Sequence, residues 1–192
     1  MDSKGKKVKL ALTKQRIRSK ILFLLKRQSR RLRRIKSKKI KEKLFSLISF
    51  KKAKRIMFFI SLDGEVETTE MIKDLQDKKL VYVPVLDKKR KIKPCFLPRN
   101  AKLKKGLYGV TEPVRKQYIS LKNLDFVVVP GVAFDKRGNR LGRGKGCYDE
   151  FLRRLKKIKP SIPIVGIAFD FQILPTIPTG PKDIKVKKVL FA

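Results

Sequence analysis

Residues 124–152 read LDFVVVPGVAFDKRGNRLGRGKGCYDEFL, and this stretch decides the fold that the sequence predicts. Residues 126–129 are all apolar, which is typical of a central parallel strand buried on both faces of a sheet. A glycine-rich loop follows, and a helix is predicted from about Cys147. One stripe of that helix is apolar at helical spacing: Tyr148, Phe151, Leu152, Leu155 and Ile158. Strand, loop and helix in this order form one unit of an α/β fold.

The rest of the chain repeats this alternation of strands and helices. Strands are predicted at residues 55–61, 80–85, 162–169 and 186–192, with a weaker one at 91–97. Helices are predicted at 14–28, at 32–48 and from Thr68 or Thr69 to Gln76, because threonine can cap a first turn. The pattern predicts one domain over residues 1–192, in three α/β/α layers with a mostly parallel central sheet and a helical, basic N-terminal region. Residues 1–9 are expected to be frayed.

The apolar runs and the cysteines indicate the compartment. The longest runs, at residues 21–25 and 126–134, fall short of the ~20 residues that a membrane span needs. No small-residue cleavage site follows the first run, which argues against a signal peptide. Cys95 and Cys147 do not make a disulfide framework, and a chain without histidine is not expected to bind zinc. We therefore predict a cytoplasmic protein with no membrane partner.

Positive charge dominates the composition. The chain holds 52 Lys and Arg against 16 Asp and Glu, a formal net charge of +36, and residues 1–56 contain 23 basic and 2 acidic residues. A field of this sign attracts polyanions such as nucleic acids, nucleotides and polyglutamate chains. The plainer interpretation is a solvated surface, as in lysine-rich thermophilic proteins, and we favour it because net charge says little about specific function.

The glycine-rich loop has the composition of a phosphate-binding site. Gly142, Gly144 and Gly146 let backbone N–H groups turn toward an anion, and the predicted helix directs its positive end to the same place. Basic side chains alternate with these glycines, at Arg143 and Lys145, and Arg140 precedes them. The loop is neither a Walker A motif nor GxGxxG. On its own it is equally compatible with a flexible turn that carries basic residues.

The wider string VVVPGVAFDKRGNRLGRGKGCYDEFLRRL, residues 127–155, resembles the signature of the 5-formyltetrahydrofolate cyclo-ligase family, also called methenyltetrahydrofolate synthetases. The resemblance continues in order through the chain. Four further segments are similar to family blocks: KQRIR at residues 14–18, SLDGEVET at 61–68, residues 81–84, and GLYGVTEP at 106–113. Asp183 stands where the family has a His-Asp pair. Two positions differ: Cys147 replaces the first of two tyrosines, and Lys182 replaces the histidine.

The resemblance implies an enzyme that converts 5-formyltetrahydrofolate and MgATP into 5,10-methenyltetrahydrofolate, ADP and phosphate through a phosphorylated formyl intermediate. It implies that the cations Lys14, Arg18, Arg143 and Lys145 act on the phosphates. The nucleotide-binding set comprises Lys14, Arg18, Arg140, Leu141, Gly142, Arg143, Gly144, Lys145, Gly146, Cys147 and Tyr148.

The resemblance also implies a folate pocket and a metal site. Ile60 and Glu65 would line the folate pocket, with Tyr108 and Glu112 as further candidates. Asp149 and Asp183 would bind Mg²⁺, since carboxylates suit that hard cation. Independently of the family, Asp149 is also a first-turn acid that the helix dipole favours, and both roles can hold together.

Two other functions remain open from the sequence. A basic RNA-binding or ribosome-associated protein would use residues 1–56, but we find no RNA-recognition strand, KH-type clamp or zinc knuckle beside the charge. Another ATP-using enzyme on the same fold, with a different acceptor, is the second. We expect small-molecule substrates, at most non-specific nucleic-acid binding, and a monomer.

Overall fold

The structure is a computed structural model that describes residues 3–192, with side chains from Val8 onward. The helices in chain order are α1 (Ser3–Arg27), α2 (Arg30–Ser46), α3 (Ile48–Lys52), α4 (Thr69–Leu75) and α5 (Cys147–Ile158). The strands are β1 (Arg55–Met57), β2 (Leu80–Leu86), β3 (Ile92–Phe96), β4 (Leu103–Lys105), β5 (Thr111–Pro113), β6 (Phe126–Val129), β7 (Ala133–Asp135), β8 (Arg140–Leu141), β9 (Ile164–Ala168), β10 (Ile173–Leu174) and β11 (Lys188–Phe191). No helix among these residues is long and apolar enough to cross a membrane.

The central sheet has the strand order β11-β9-β6-β1-β2-β3. All neighbouring strands are parallel except β2 and β3, which are antiparallel. The predicted mostly parallel sheet is therefore confirmed, and residues 124–129 contribute one of its inner strands. From β1 the chain adds β2 on one side and, later, β6 on the other. The order thus reverses beside β1, which is where open α/β sheets bind ligands.

Alternate residues of the strands face two separate cores, which confirms the three layers. Phe126 and Val128 pack with α1 to α4, while Val127 and Val129 pack with α5 on the opposite face. All four residues are 0% exposed. This burial on both faces explains why the strand has no polar residue after its start.

The N-terminal region differs from the sequence-based expectation. Helix α1 begins at Ser3, well before the predicted start at residue 14, while Met1 and Asp2 lie outside the described residues; fraying of residues 1–9 stays a prediction. Lysine, alanine and leucine favour helix here. Near this end Leu10 lies close to Gly180, where an added Cβ would lie 3.5 Å from Leu10 Cδ2.

Three local predictions are also corrected. Strand β1 ends at Met57 rather than at residue 61, because the chain leaves the sheet there to form one wall of the cavity described below. The predicted helix at 32–48 is two helices, α2 and α3, separated at Leu47, which has an extended backbone. Thr68 precedes α4 but does not cap it, because its hydroxyl donates to the Phe59 carbonyl and accepts from Ser61 N–H.

Candidate active site

A cavity of about 360 Å³ lies at the carboxyl ends of β1, β2 and β6. Its volume is within the usual range for a small-molecule site. Its walls come from the segments that follow these strands, including Ile60 after β1, Leu86 at the end of β2 and Gly131 after β6. The cavity therefore occupies the point at which the strand order reverses, as the sheet topology requires.

Every site residue proposed from the sequence lines this one cavity: Lys14, Arg18, Ile60, Glu65, Tyr108, Glu112, Arg140, Leu141, Gly142, Arg143, Gly144, Lys145, Gly146, Cys147, Tyr148, Asp149 and Asp183. They come from α1, the segment after β1, the β4–β5 hairpin, β8, the glycine loop, α5 and the segment before β11. The sequence thus located the cavity, and the individual roles remain predictions.

The glycine loop joins β8 to the N-terminus of α5. Gly144 has φ +95° and Gly146 has φ +69°, the left-handed region that glycine adopts without a side-chain penalty. Because residue 146 has no side chain to cap α5, the N–H groups of the first turn are left for another acceptor. The positive end of the helix and its open donors lie at the cavity, as an anion site requires.

Helix α1 supplies two cations to the same wall. Lys14 Nζ lies 2.5 Å from Asp183 Oδ2, and Arg18 Nε donates to the Gly142 carbonyl at 2.8 Å. Their spacing of four residues places both side chains on one face of the helix. Arg18 therefore fixes the backbone of the glycine loop, and Lys14 fixes the segment that carries Asp183.

A buried ion pair supports the floor of the cavity. Arg140 Nη2 lies 2.9 Å from Asp149 Oδ1, and the Arg140 side chain is only 2% exposed. Its guanidinium also lies 5.5 Å from the centre of the Tyr148 ring. Among the described residues the Tyr148 hydroxyl has no hydrogen-bond partner, and burial raises the pKa of this phenol. Tyr148 is therefore neutral at the cavity wall, with a polar atom left for a ligand.

Two of the residues proposed for the folate pocket, Glu65 and Tyr108, contact the glycine loop. Glu65 Oε1 accepts from Arg143 Nη2 at 2.8 Å, and Glu65 Oε2 accepts from the Leu62 N–H at 3.0 Å. Lys145 Nζ lies 5.3 Å from the centre of the Tyr108 ring, within cation–π range. The two loop cations that were expected to face phosphates are thus in contact with the opposite wall.

Two proposed residues have other local partners. Glu112 Oε1 lies 2.8 Å from Lys116 Nζ, so its charge is balanced within its own segment. Burial is the largest influence on Cys147 and raises the pKa of its thiol, so this cysteine contributes a neutral group to the wall.

Sequence reasoning missed the apolar part of the lining. The lining residues that were missed lie near the ends of strands or in the β4–β5 hairpin: Phe59, Leu62, Pro84, Leu86, Ile92, Leu107, Val110, Pro130, Gly131 and Val132. Strand ends mark this edge of the sheet, which is the signal that could have found several of them. The lining combines apolar walls with a few charged groups, as small-molecule sites do.

The carboxylates partly fit a divalent cation. Asp149 receives hydrogen bonds on Oδ1, from Arg140 and from Ile184 N–H, which leaves Oδ2 for a ligand. Asp183 also faces the cavity. Within residues 3–192 no three His, Cys, Asp or Glu side chains gather into a metal site. Mg²⁺ is commonly held by one or two carboxylates, while water and substrate phosphate oxygens complete its coordination, as at ATP sites.

Comparisons with known proteins agree with this geometry. The sequence model of the 5-formyltetrahydrofolate cyclo-ligase family matches residues 11–192. A 5-formyltetrahydrofolate cyclo-ligase of Mus musculus is 35% identical over 162 residues, covering 78% of this chain and 79% of the relative. One from Haemophilus influenzae is 37% identical over 150 residues, covering 76% and 79%.

Solved structures agree as well. The 5,10-methenyltetrahydrofolate synthetase of Aquifex aeolicus superposes with a TM-score of 0.82 at 33% identity, covering 93% of this chain and 89% of that one. The synthetase of Mycoplasma pneumoniae, at 22% identity and a TM-score of 0.73, has the same fold. The ordered motifs, the sheet topology and these matches lead to one conclusion: the chain belongs to the 5-formyltetrahydrofolate cyclo-ligase family.

Proposed function

We propose that this protein is an ATP-dependent 5-formyltetrahydrofolate cyclo-ligase that forms 5,10-methenyltetrahydrofolate, ADP and phosphate. The observation that carries the proposal is one cavity in which a glycine loop at a helix N-terminus faces a wall with an acidic residue, Glu65. Triphosphate and pterin can therefore lie side by side, which a two-substrate reaction needs.

The reaction requires positioning and positive charge rather than a protein nucleophile. The formyl oxygen attacks the γ-phosphorus and displaces ADP. The folate N10 then attacks the formyl carbon, loses its proton, and expels the oxygen as phosphate. Lys14 and Arg18 line the cavity from α1, and Arg143 and Lys145 line it from the loop, so all four are available to bound phosphates. Such cations stabilise the charge that spreads over the phosphoryl oxygens during transfer.

Mg²⁺ is part of this proposal, with Asp149 and Asp183 as the residues that would hold it. The ion would supply charge neutralisation on the phosphates. Lys14 Nζ lies 2.5 Å from Asp183 Oδ2 and holds that carboxylate beside the cavity. Buried Arg140 contacts Asp149 Oδ1 at 2.9 Å and holds the second carboxylate there. We further expect a cytoplasmic monomer that binds nucleic acid only non-specifically.

An absorbance assay for methenyl-folate tests the proposal. Purified protein is mixed with 5-formyltetrahydrofolate and Mg²⁺, with or without ATP. We expect the methenyl chromophore to appear only with ATP. A matched reaction with the Lys14→Met variant should be much slower, because one phosphate-facing cation is removed. Failure of the wild-type protein to form the chromophore with ATP would contradict the proposal.

A further inference from the structure

Two contacts connect the nucleotide loop to the folate wall across the cavity. Arg143 reaches Glu65, which is 78 residues away in the chain, and Lys145 reaches Tyr108. Both cations alternate with the glycines of the loop, whose backbone is held by Arg18. A nucleotide that binds in the loop therefore meets two cations whose partners are residues of the second site.

Both carboxylate oxygens of Glu65 accept hydrogen bonds when Arg143 contacts this residue. Its Oε2 accepts from the Leu62 N–H, and its Oε1 accepts from Nη2 and Nε of Arg143 at 2.8 and 3.3 Å. The Glu65 side chain is only 12% exposed, whereas that of Arg143 is 43% exposed. Arg143 is thus the more accessible partner, and it contacts Oε1 of a carboxylate that lines the cavity.

We infer that Arg143 and Lys145 are positioning residues for the folate site, which they release when nucleotide binds. The inference rests on the proposed function and extends it to the order of substrate binding. A triphosphate carries several negative charges and lies beside open helix donors, so it competes with a single carboxylate for Arg143. Once Arg143 turns to the phosphates, Glu65 can accept from pterin N–H groups, and Tyr108 is free to contact the ring.

The coupling between the two ligands has a definite sign. Folate that binds first must displace Arg143 itself, whereas folate that binds second does not. Nucleotide therefore raises folate affinity, and by linkage folate raises nucleotide affinity by the same factor. An ion pair with one accessible partner, here Arg143, contributes about 0.2–1 kcal/mol, which converts to an increase of about 1.4- to 5-fold.

Calorimetric titration measures this coupling. 5-Formyltetrahydrofolate is titrated into the protein with and without a saturating β,γ-imido analogue of ATP and Mg²⁺, so that no turnover occurs. We expect wild-type protein to bind the folate about 1.4- to 5-fold more tightly with the analogue. In Arg143→Met, folate binding without the analogue should already reach the wild-type level with it. The analogue should then add little.

The control is Arg31→Met, which removes an equal charge from an exposed position on α2 outside the cavity lining. It should keep the wild-type coupling factor. Equal folate affinity with and without the analogue, in a protein that still turns over, would overturn this inference alone. Weaker folate binding by Arg143→Met than by wild type, in the absence of the analogue, would also overturn it. Absence of folate binding in every condition would reject the proposed function and this inference together.

Discussion

Replacement of Asp149 by alanine tests how the cavity floor is stabilised. The guanidinium of Arg140 is 2% exposed, and Asp149 is the only acid that contacts it among the described residues. Its other contacts are the Pro130 carbonyl at 3.4 Å and the Tyr148 ring, while its Nε has no acceptor in the same part of the chain. Removal of the carboxylate therefore leaves a buried charge without compensation.

The expected cost follows from this burial. Breaking a buried pair by removing one partner costs about 3–5 kcal/mol. Asp149→Asn should cost less, about 1–2 kcal/mol, because the amide oxygen can still accept from Arg140 and only the charge is lost. The free energy of unfolding is measured by urea titration, with the dependence on urea concentration checked for two-state behaviour.

An exposed ion pair in the same protein supplies the control. Lys41 and Asp74 pair on the surface with side chains that are 29% and 46% exposed, so Asp74→Ala should cost no more than about 1 kcal/mol. If Asp149→Ala costs as little as Asp74→Ala, then water reaches Arg140 in solution, and the argument that this ion pair supports the cavity floor is wrong.

Three further perturbations test other parts of the account. Lys145→Ala should lower turnover about 10²-fold if the ammonium stabilises transition-state charge. An unchanged kcat in this variant would show that the loop is only a turn. Gly166→Ala places a Cβ 2.5 Å from the Phe134 ring and should destabilise the fold by about 1–3 kcal/mol; an unchanged Tm would contradict this packing. Burial raises the pKa of Asp135, but hydrogen bonds, first from Asn139, outweigh burial and hold it below its ordinary value. The stability that Asp135 contributes is therefore present above its unfolded pKa of about 3.9 and is lost as pH falls through the lower folded pKa. Asp135→Asn should unfold with a weaker acid dependence than wild type, and an identical acid profile would contradict this.

The parts of the fold that depend on hydrophobic pattern could be predicted from the sequence. Residues 124–129 and α5 carry strong apolar patterns, and both were located within a few residues. The β7–β8 hairpin was missed because its two short strands lie in what appeared to be a single loop. A network around Asp135 stabilises it, in which the carboxylate accepts from the N–H groups of Arg137, Asn139 and Ile177. The last of these lies 42 residues away, so local pattern does not reveal it.

The candidate site could likewise be predicted only in part from the sequence. The ordered family motifs identified the residues that line the cavity, because each motif is a continuous segment. The pairings across the cavity could not be predicted, since Arg143 and Glu65 are distant in sequence and neither residue specifies the other. Charge alone was a poor guide as well. Lys14 and Arg18 lie within a long basic helix, and it is the family motif and the folded arrangement, not their charge, that distinguish them from their neighbours.

The most direct test of the central claim is the stoichiometry of ADP and methenyl-folate. Both products are followed in one reaction that contains the purified protein, Mg²⁺, ATP and 5-formyltetrahydrofolate as the sole acceptor. We predict one ADP for each methenyl-folate formed, and no ADP above background when the folate is omitted. ADP formation that does not depend on the folate, or that leaves the folate unchanged, would contradict the claim and indicate an ATP-using enzyme with a different acceptor.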